Sequence, residues 1–264
     1  MKIAIIGTGN LGSSIAKGLI KNKTFTSLYL TDKNTSALSM FNDEEYVTIT
    51  NDNVLAVKES DILIFALQPR HIEKVLETVS PSIIDQHVVM SVAAGFEISK
   101  IESIIGSDKN IIRVMPNTAI SIGKSMTCLA ANTKGESKMD LAKKIFNQLG
   151  TTMVIPEEHI QAATVICASG IAFWMRLVRA TTQGAIQLGF EAHEAHQLAT
   201  QTCFGAASLL IESGRHPEQE IDRVTTPSGC TIEGLNAMEH QGLSSALIQG
   251  LVASFEKINQ IKKT

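Results

Sequence analysis

Aromatic residues, cysteine and a dominant charge are all scarce in this chain of 264 residues. Aromatic side chains make up 5% of the sequence, and 23 lysines and arginines nearly balance 26 aspartates and glutamates, leaving a net charge of −3. No basic surface therefore indicates nucleic acid or an acidic lipid as a partner. The four cysteines form no Cys-x-x-Cys pair, which argues against a disulfide framework or a zinc site and fits a reducing compartment.

The sequence pattern predicts neither a membrane span nor a leader. The chain enters a strand pattern at residues 2–6, which leaves no room for a signal peptide, so we expect a cytoplasmic protein with no membrane partner. The segment from Ile160 to Met175 is uncharged and mostly apolar, but it is shorter than a bilayer span. We interpret it as a buried helix.

The composition is that of a globular protein, with 44% hydrophobic and 19% charged residues. The length suits one large domain or two small ones with real cores. Strand and helix patterns alternate as far as residue 155, and only helical patterns follow. We therefore predict an α/β fold in two parts: an N-terminal Rossmann-like dinucleotide-binding domain over residues 1–155 and a C-terminal all-helical domain over residues 156–264.

A glycine-rich loop follows the first strand and opens a helix. In this Gly-x-Gly-x-x-Gly pattern, Gly7 permits a tight turn, Gly9 lets a pyrophosphate approach the backbone, and Gly12 lets the helix pack on the sheet. The motif alone is weak evidence, but its place between a strand and a helix predicts a dinucleotide cofactor. The six residues of the loop are Gly7, Thr8, Gly9, Asn10, Leu11 and Gly12.

The end of the second strand bears on the choice of cofactor. This strand, Ser27 to Thr31, ends at Asp32, twenty residues after Gly12, where an acid binds the ribose hydroxyls of NAD. Lys33 and Asn34 follow directly and would suit the 2′-phosphate of NADP. The residues leave both cofactors open.

Further apolar strands at residues 61–66, 87–91 and 110–115 alternate with helices at 71–79 and 98–105. A strand at 126–131, a helix at 136–149 and a strand at 152–155 complete the pattern, which predicts a parallel sheet covered on both faces. Ligands bind at the carboxyl ends of such strands. The residues there are Ala66, Leu67, Gln68 and Pro69, then Ala93, Ala94 and Gly95, then Pro116, Asn117 and Thr118.

The second half is predicted to be entirely helical. The expected helices cover residues 159–188, 191–213, 232–240 and 243–262. The first two are rich in small residues and poor in charge, so we expect a subunit interface to cover them. His193 and His196 lie one turn apart without a third ligand, and we predict no metal site.

The stretch 224–235 is predicted to be a loop that turns into a helix. Pro227 and Gly229 break the preceding structure, and apolar residues recur at helical spacing from Ile232. Helix N-termini carry unpaired N–H groups and a partial positive charge that attract anions. An ordinary helix start has the same pattern, but in a dinucleotide-binding chain the loop predicts a site for a small carboxylate, with the Thr231 hydroxyl beside it.

Taken together, the motifs resemble the pyrroline-5-carboxylate reductase family over the whole chain. They are Gly7–Gly12, Ala66–Pro69, Ser91–Gly95, Arg113–Thr118, Gln201–Ala207 and Val224–Thr231. The resemblance implies hydride transfer from a nicotinamide to the imine carbon of 1-pyrroline-5-carboxylate, which yields L-proline. It also implies NADPH as cofactor, with NADH open, and a homodimer formed by the helical domain, with a larger ring of dimers open.

The resemblance assigns residues to the site as well. Thr231 would hydrogen-bond the ring nitrogen of the substrate and is the catalytic candidate, while backbone amides of the preceding loop hold the carboxylate. The implied substrate residues are Asn117, Thr226, Ser228, Gly229, Cys230 and Thr231. The implied cofactor residues are Gly7, Thr8, Gly9, Asn10, Leu11, Gly12, Asp32, Lys33, Asn53, Ala66, Leu67, Gln68, Pro69, Ala93, Ala94 and Gly95.

Some residues depart from the family pattern. Gln68 stands where the family usually has Lys, and Cys167-Ala-Ser-Gly-Ile-Ala-Phe173 replaces Ser-Gly-Ser-Gly-Pro-Ala-Tyr. Thr226-Pro-Ser-Gly-Cys-Thr231 replaces Ser-Pro-Gly-Gly-Thr-Thr. Two other functions stay open: reduction of another cyclic imine or a 2-oxo acid, and a non-catalytic, dinucleotide-binding redox sensor. No candidate for the catalytic lysine of hydroxyacid dehydrogenases is evident, and a sensor would not need the Thr231 loop.

Overall fold

The computed structural model describes residues 1–23 and 25–261. Within them the strands are β1 Lys2–Ile6, β2 Ser27–Thr31, β3 Val47–Thr50, β4 Ile62–Phe65, β5 Val88–Ser91, β6 Asn110–Met115, β7 Ser125–Ala131 and β8 Gly150–Val154. The α-helices are α1 Asn10–Asn22, α2 Asn53–Lys58, α3 Pro69–Val79, α4 Ile98–Ile105, α5 Met139–Phe146, α6 Ile160–Ala163, α7 Gly170–Gln187, α8 Ala192–Ser213, α9 Pro217–Val224, α10 Cys230–His240 and α11 Leu243–Ile261.

The strands form one sheet in the order β3-β2-β1-β4-β5-β6-β7-β8. Neighbouring strands are parallel except β6 and β7, which pair antiparallel with Met115 opposite Cys128. The prediction of an entirely parallel sheet is therefore wrong at this pair. The connection from Met115 to Ser125 holds only a short 3₁₀ turn, Thr118–Ile122, and a parallel crossover needs a dozen or more residues.

The central strand β1 is apolar because both of its faces are covered. Ile3 and Ile5 point into one core, which α1 and α5 cover, while Ala4 and Ile6 point into a second core beneath α2, α3 and α4. This alternation follows from the two-residue period of a strand. Each fully buried Ile contributes about 1.5–3 kcal/mol to the free energy of folding relative to an exposed side chain. The carboxyl end of β1, where the glycine loop begins, is therefore held in place by both cores.

Several short elements were not predicted from the sequence. They are β3, α2, α9 and a 3₁₀ helix at Thr35–Phe41. In α9 the signal is local and polar: Pro217 occupies the first turn, and the His216 side chain accepts a hydrogen bond from the Glu218 N–H at 3.3 Å. The helix predicted at 136–149 is shorter, since a 3₁₀ turn, Gly135–Lys138, precedes α5, which ends at Phe146.

The helix predicted over 159–188 is divided by a π-helical segment, Thr164–Ser169, between α6 and α7. The described residues pack as two units: residues 1–23, 25–168 and 258–261 form the first, and residues 169–257 form the second. They divide later than the domain boundary predicted after residue 155, because Ile160 and Ala163 pack with Met115 and Cys128 in unit 1.

The buried helix predicted from Ile160 to Met175 is exposed in its second half. In the single chain Trp174 is 59% exposed and Met175 64%. The argument from its length also fails, since Glu157–Gln187 forms one helical run long and apolar enough to cross a membrane by length and composition, a test that helices of soluble proteins also pass. In the second unit α7 packs against α8, and α8 against α9.

Candidate cofactor cleft and substrate loop

Two glycines of the first loop are required by the fold itself. Gly7 has a φ of +90°, and a Cβ there would clash with the Leu67 side chain and lie 2.9 Å from the Ala66 carbonyl oxygen. A Cβ on Gly12 would clash with the carbonyl oxygen of Gly7. The loop can therefore turn this tightly only with glycine at both positions.

Gly9 differs because the protein leaves open space around it. A Cβ there would meet no atom within 4 Å, and its φ of −72° is available to any residue. Gly9 caps α1, whose first turn contains no acidic residue, so no carboxylate in that turn repels an anion at its free N–H groups. Such a helix start attracts a phosphate, and glycine lets the phosphate approach the backbone closely.

Thr8 and Asn53 hold the loop and the end of β2 together. Thr8 is buried, and its N–H and Oγ1 both donate to the Thr31 carbonyl oxygen, at 2.9 and 3.1 Å. Thr31 Oγ1 in turn donates to Asn53 Oδ1 at 2.6 Å. The side chain of Thr8 thus shapes the loop, while Asn53 lies at the edge of the cleft described next.

A cleft of about 470 Å³ opens at the carboxyl ends of β1, β2 and β4. Five predicted cofactor residues line it: Gly7, Asp32, Lys33, Asn53 and Leu67. Sequence reasoning missed Arg70, His71 and Lys74, which line it from the first turns of α3. The signal was available, since Arg70 and His71 follow Pro69 directly after the end of a buried strand.

The charge of this cleft is mainly positive. Arg70 and Lys74 lie four residues apart on one face of α3, and Lys33 lies at the end of β2. Asp32 is the one acid among the lining residues, and its Oδ1 already accepts a hydrogen bond from the Asn34 N–H at 3.0 Å. Three cations and one acid, which is partly engaged, favour a ligand with phosphate at this end.

The remaining predicted cofactor residues lie at neighbouring strand ends of the same sheet edge. Ile6, Phe65 and Ser91 are aligned across β1, β4 and β5, so Gly9, Gln68 and Ala93 follow in adjacent loops. Gln68 precedes α3 without a side-chain cap, and Gly95 has a φ of +72° in the turn after β5. Asn10, Leu11, Ala66, Pro69, Ala93 and Ala94 complete this edge.

Asn117, predicted to contact the substrate, is buried and engaged within the protein. Its Oδ1 accepts from the Ala119 N–H at 3.0 Å, and its Nδ2 donates to the Cys167 carbonyl oxygen at 3.1 Å. The side chain therefore holds the turn after β6 to the π-helical segment. Its observed partners make it a residue that positions other groups.

In the second unit the Thr231 loop begins with a tight turn. The Gly229 N–H donates to the Thr226 carbonyl oxygen at 3.0 Å, and Ser228 has a φ of +55°. Pro227 followed by a residue of positive φ is typical of a type II turn, where glycine is usual at the second of these positions. A Cβ on Gly229 would clash with Thr226 Oγ1, which explains glycine there.

The helix after this turn begins earlier than predicted, at Cys230, with Gly229 as its cap. Thr231 is thus the second helical residue and is half-buried, and its Oγ1 has no hydrogen-bond partner among the described residues. The first N–H groups of α10 have no partner within the helix. A carboxylate site beside the Thr231 hydroxyl stays a prediction, and this turn leaves both kinds of donor available for it.

Both halves of the chain are similar to known proteins. Residues 157–261 match the family model for pyrroline-5-carboxylate reductase dimerisation. Residues 2–95 match the model named NADP oxidoreductase, coenzyme F420-dependent. Pyrroline-5-carboxylate reductases 1 and 2 of Dictyostelium discoideum are 44% and 40% identical, each over 97% of this chain. The chain belongs to the pyrroline-5-carboxylate reductase family. It spans 49% of the length of the first relative and 91% of the second.

Relatives and solved structures extend the likeness over the full length. The pyrroline-5-carboxylate reductase of Methanosarcina acetivorans is 32% identical over 99% of this chain and 98% of its own length. The structure of a family member from Coxiella burnetii gives a TM-score of 0.93 at 29% identity, covering 100% of this chain and 99% of that one. A Plasmodium falciparum pyrroline carboxylate reductase with NADP bound gives 0.86 at 23% identity, covering 99% and 98%. The prediction of fold and family is confirmed.

Proposed function

We propose that this chain reduces the C=N bond of 1-pyrroline-5-carboxylate to give L-proline, with NADPH as the reductant. The observation that carries the proposal is that the family likeness spans both the glycine loop before α1 and the Thr231 loop before α10. These two loops have the two features that the reaction needs: a phosphate-accepting helix start and a carboxylate-accepting helix start with a hydroxyl.

The preference for NADPH rests on the charge of the cleft. Lys33, Arg70 and Lys74 offer cations to a 2′-phosphate, and each charge-assisted hydrogen bond contributes about 1.5–3 kcal/mol. Asp32 opposes them, but one of its oxygens already accepts from the Asn34 N–H. When bound, the reduced nicotinamide supplies the hydride. Gly9 and the first turn of α1 hold the pyrophosphate.

The substrate is held by the turn before α10. We expect the backbone N–H groups of Ser228 and Cys230 to hold the substrate carboxylate, with the positive end of the helix dipole behind them. The Gly229 N–H, predicted for the same role, already donates to the Thr226 carbonyl oxygen. The Thr231 hydroxyl donates a hydrogen bond to the ring nitrogen, whose electron density rises as the hydride reaches the neighbouring carbon. That bond strengthens in the transition state, and such strengthening accelerates the reaction. Thr226 and Ser228 shape the turn, and the proposed reaction needs no metal.

The proposed enzyme works as a cytoplasmic homodimer, extended to a larger ring of dimers, without nucleic acid or membrane. Residues 157–261 match the family's dimerisation model, and α7 and α8 expose an apolar surface in the single chain. Among its exposed residues are Trp174, Met175, Phe204 and Ile211. Monomeric proteins rarely expose such an area, and a second copy would bury it.

A substrate comparison tests the proposal. The purified protein is mixed with NADPH and, in parallel, with 1-pyrroline-5-carboxylate, piperideine-carboxylate or pyruvate, and the loss of NADPH absorbance is followed. We expect the highest kcat/KM with 1-pyrroline-5-carboxylate. A higher value with piperideine-carboxylate or pyruvate would indicate the wider reductase alternatives. NADPH binding without turnover of any substrate would favour a redox sensor.

A further inference from the structure

Two cysteines that the proposed reaction does not use are paired inside the first unit. Cys128 lies in β7 and Cys167 in the π-helical segment, and both pack into the small apolar cluster that includes Met115 and Ala163. Cys167 packs against the cluster that contains Cys128, and each thiol shifts the pKa of the other. The two residues belong to different elements, so it is the folding of the chain that brings their side chains together.

The surroundings of the pair fix one cysteine and expose the other. Cys128 is 3% exposed, on the strand that pairs with β6. Cys167 is half-buried and is therefore the more accessible of the two to an oxidant. Its carbonyl oxygen accepts the hydrogen bond from Asn117 Nδ2, which holds the backbone of the segment in place.

The interaction between the two thiols also divides the reactivity between them. It stabilises the thiolate of Cys167 and lowers the pKa of this thiol to about 7, against the opposing effect of burial. The same interaction, together with burial, raises the pKa of Cys128. Thiolates are the nucleophiles of disulfide exchange, so Cys167 is the attacking residue and Cys128 the one that resolves.

We infer that Cys128 and Cys167 are a reversible oxidation site at which a small disulfide, such as glutathione disulfide, closes a bond between β7 and the π-helical segment. The Cys167 thiolate attacks one sulfur of glutathione disulfide and releases a first glutathione thiolate. Cys128 then gives up its proton, attacks Cys167 Sγ and releases the second. Two protein thiols are oxidised to one disulfide, and one glutathione disulfide is reduced to two thiols.

Closure of this bond changes the turn that follows β6. Cys128 lies opposite Met115 at the end of that strand, two residues before Asn117, which binds the Cys167 carbonyl. A covalent link between the sulfurs displaces the Asn117 contacts, while the cofactor cleft on β1, β2 and β4 stays unchanged. On the proposed function, oxidation therefore lowers kcat and leaves the Kd for NADPH as it was.

The experiment equilibrates the full chain in glutathione buffers of increasing disulfide content and digests it without reduction. Mass spectrometry should find a Cys128–Cys167 cross-linked peptide that dithiothreitol removes. Cys167→Ser and Cys128→Ala should abolish the cross-link, and Cys203→Ser, in α8, is the matched control that retains it. Because this readout is a mass, its result does not depend on the activity of the enzyme.

Activity is then measured on the same samples. We expect oxidised wild type to lose activity roughly 10-fold or more, because displacements of about 1 Å in positioning groups cost up to 100-fold, and the loss should reverse with dithiothreitol. Cys167→Ser should be insensitive. A mixed disulfide on Cys167 without the cross-link, or equal inactivation of Cys167→Ser, would overturn the inference. A cross-link in a protein inactive even when reduced would instead refute the proposed function.

Discussion

The carbonyl oxygen of Gly7 occupies the place that a Cβ on Gly12 would need. Gly12 is therefore glycine for reasons internal to the fold. Gly9, in the same loop, has open space around it, so the fold itself does not require glycine at this position. We attribute this glycine to the close approach of a ligand. One motif thus contains two kinds of glycine, which mutation separates.

Gly9→Ala should weaken NADPH binding and leave the stability nearly unchanged. The added methyl group enters the space of the pyrophosphate, whereas alanine in place of glycine at a helix N-cap costs only about 1 kcal/mol or less. The measurements are NADPH fluorescence titration and thermal unfolding. Gly12→Ala is the contrasting variant: overpacking against a backbone oxygen should lower the free energy of unfolding by about 1–3 kcal/mol. Unchanged NADPH affinity in Gly9→Ala would contradict the assignment.

The sequence allowed the glycine loop, the strand ends and the Thr231 turn to be predicted, because each depends on residues close together in the chain. Arg70 was missed although it follows Pro69 directly after a buried strand, and Lys74 was missed because only the turn of α3 brings it to the same face as Arg70. The antiparallel β6–β7 pair was missed because the sequence of an apolar strand does not indicate whether it runs parallel or antiparallel to its neighbour. The roles of the individual site residues remain predictions, since they depend on ligands.

Arg70→Ala and Lys74→Ala should each lower kcat/KM for NADPH, by about 10- to 100-fold, with little effect on NADH. Each removes a cation that would bind the 2′-phosphate, a contribution of about 1.5–3 kcal/mol. Lys58→Ala is the control, since this exposed lysine ends α2 and does not line the cleft. Steady-state kinetics with both cofactors decide the question. An equal fall in kcat/KM for NADH, or a wild type that prefers NADH, would indicate that Asp32 determines the cofactor preference instead.

Trp174→Asp should convert the dimer into monomers at micromolar concentration. A carboxylate placed on the apolar face of α7 would lose its water when a second subunit docks, at a cost of several kcal/mol. Met40→Asp is a close control, because Met40 is also 59% exposed but lies in the first unit, outside the dimerisation match. Light scattering should find Met40→Asp dimeric. A monomeric wild type would refute the proposed assembly.

Ser228→Gly should stabilise the protein by about 0.5–1 kcal/mol. The positive φ of Ser228 costs about 1–2 kcal/mol in a residue with a Cβ, and the extra freedom of glycine in the unfolded chain returns part of that gain. Ser228→Ala separates the two effects, because it removes the hydroxyl but keeps the Cβ, and it should give no gain. Thermal unfolding of the three proteins compares them. A gain in Ser228→Ala equal to that in Ser228→Gly would exclude backbone strain as the cause.

Thr231→Val should lower kcat by about 10- to 100-fold and leave the Kd for NADPH unchanged. Valine keeps the shape of threonine and removes only the hydroxyl, so the loss is that of one hydrogen bond to a group whose charge changes, about 1.5–3 kcal/mol. NADPH binding depends on a different loop, before α1. The measurements are steady-state kinetics with 1-pyrroline-5-carboxylate and a fluorescence titration with NADPH.

Thr225→Val supplies the control for the same turn. The Thr225 hydroxyl donates to the Ile221 carbonyl oxygen at 2.8 Å, so its removal affects the end of α9 and should lower stability rather than kcat. If both variants lost activity equally, the effect would lie in the shape of the turn and not in a hydroxyl at the substrate. Full activity of Thr231→Val would show that the Thr231 hydroxyl is not the hydrogen-bond donor, because the hydroxyl is the group that this substitution removes.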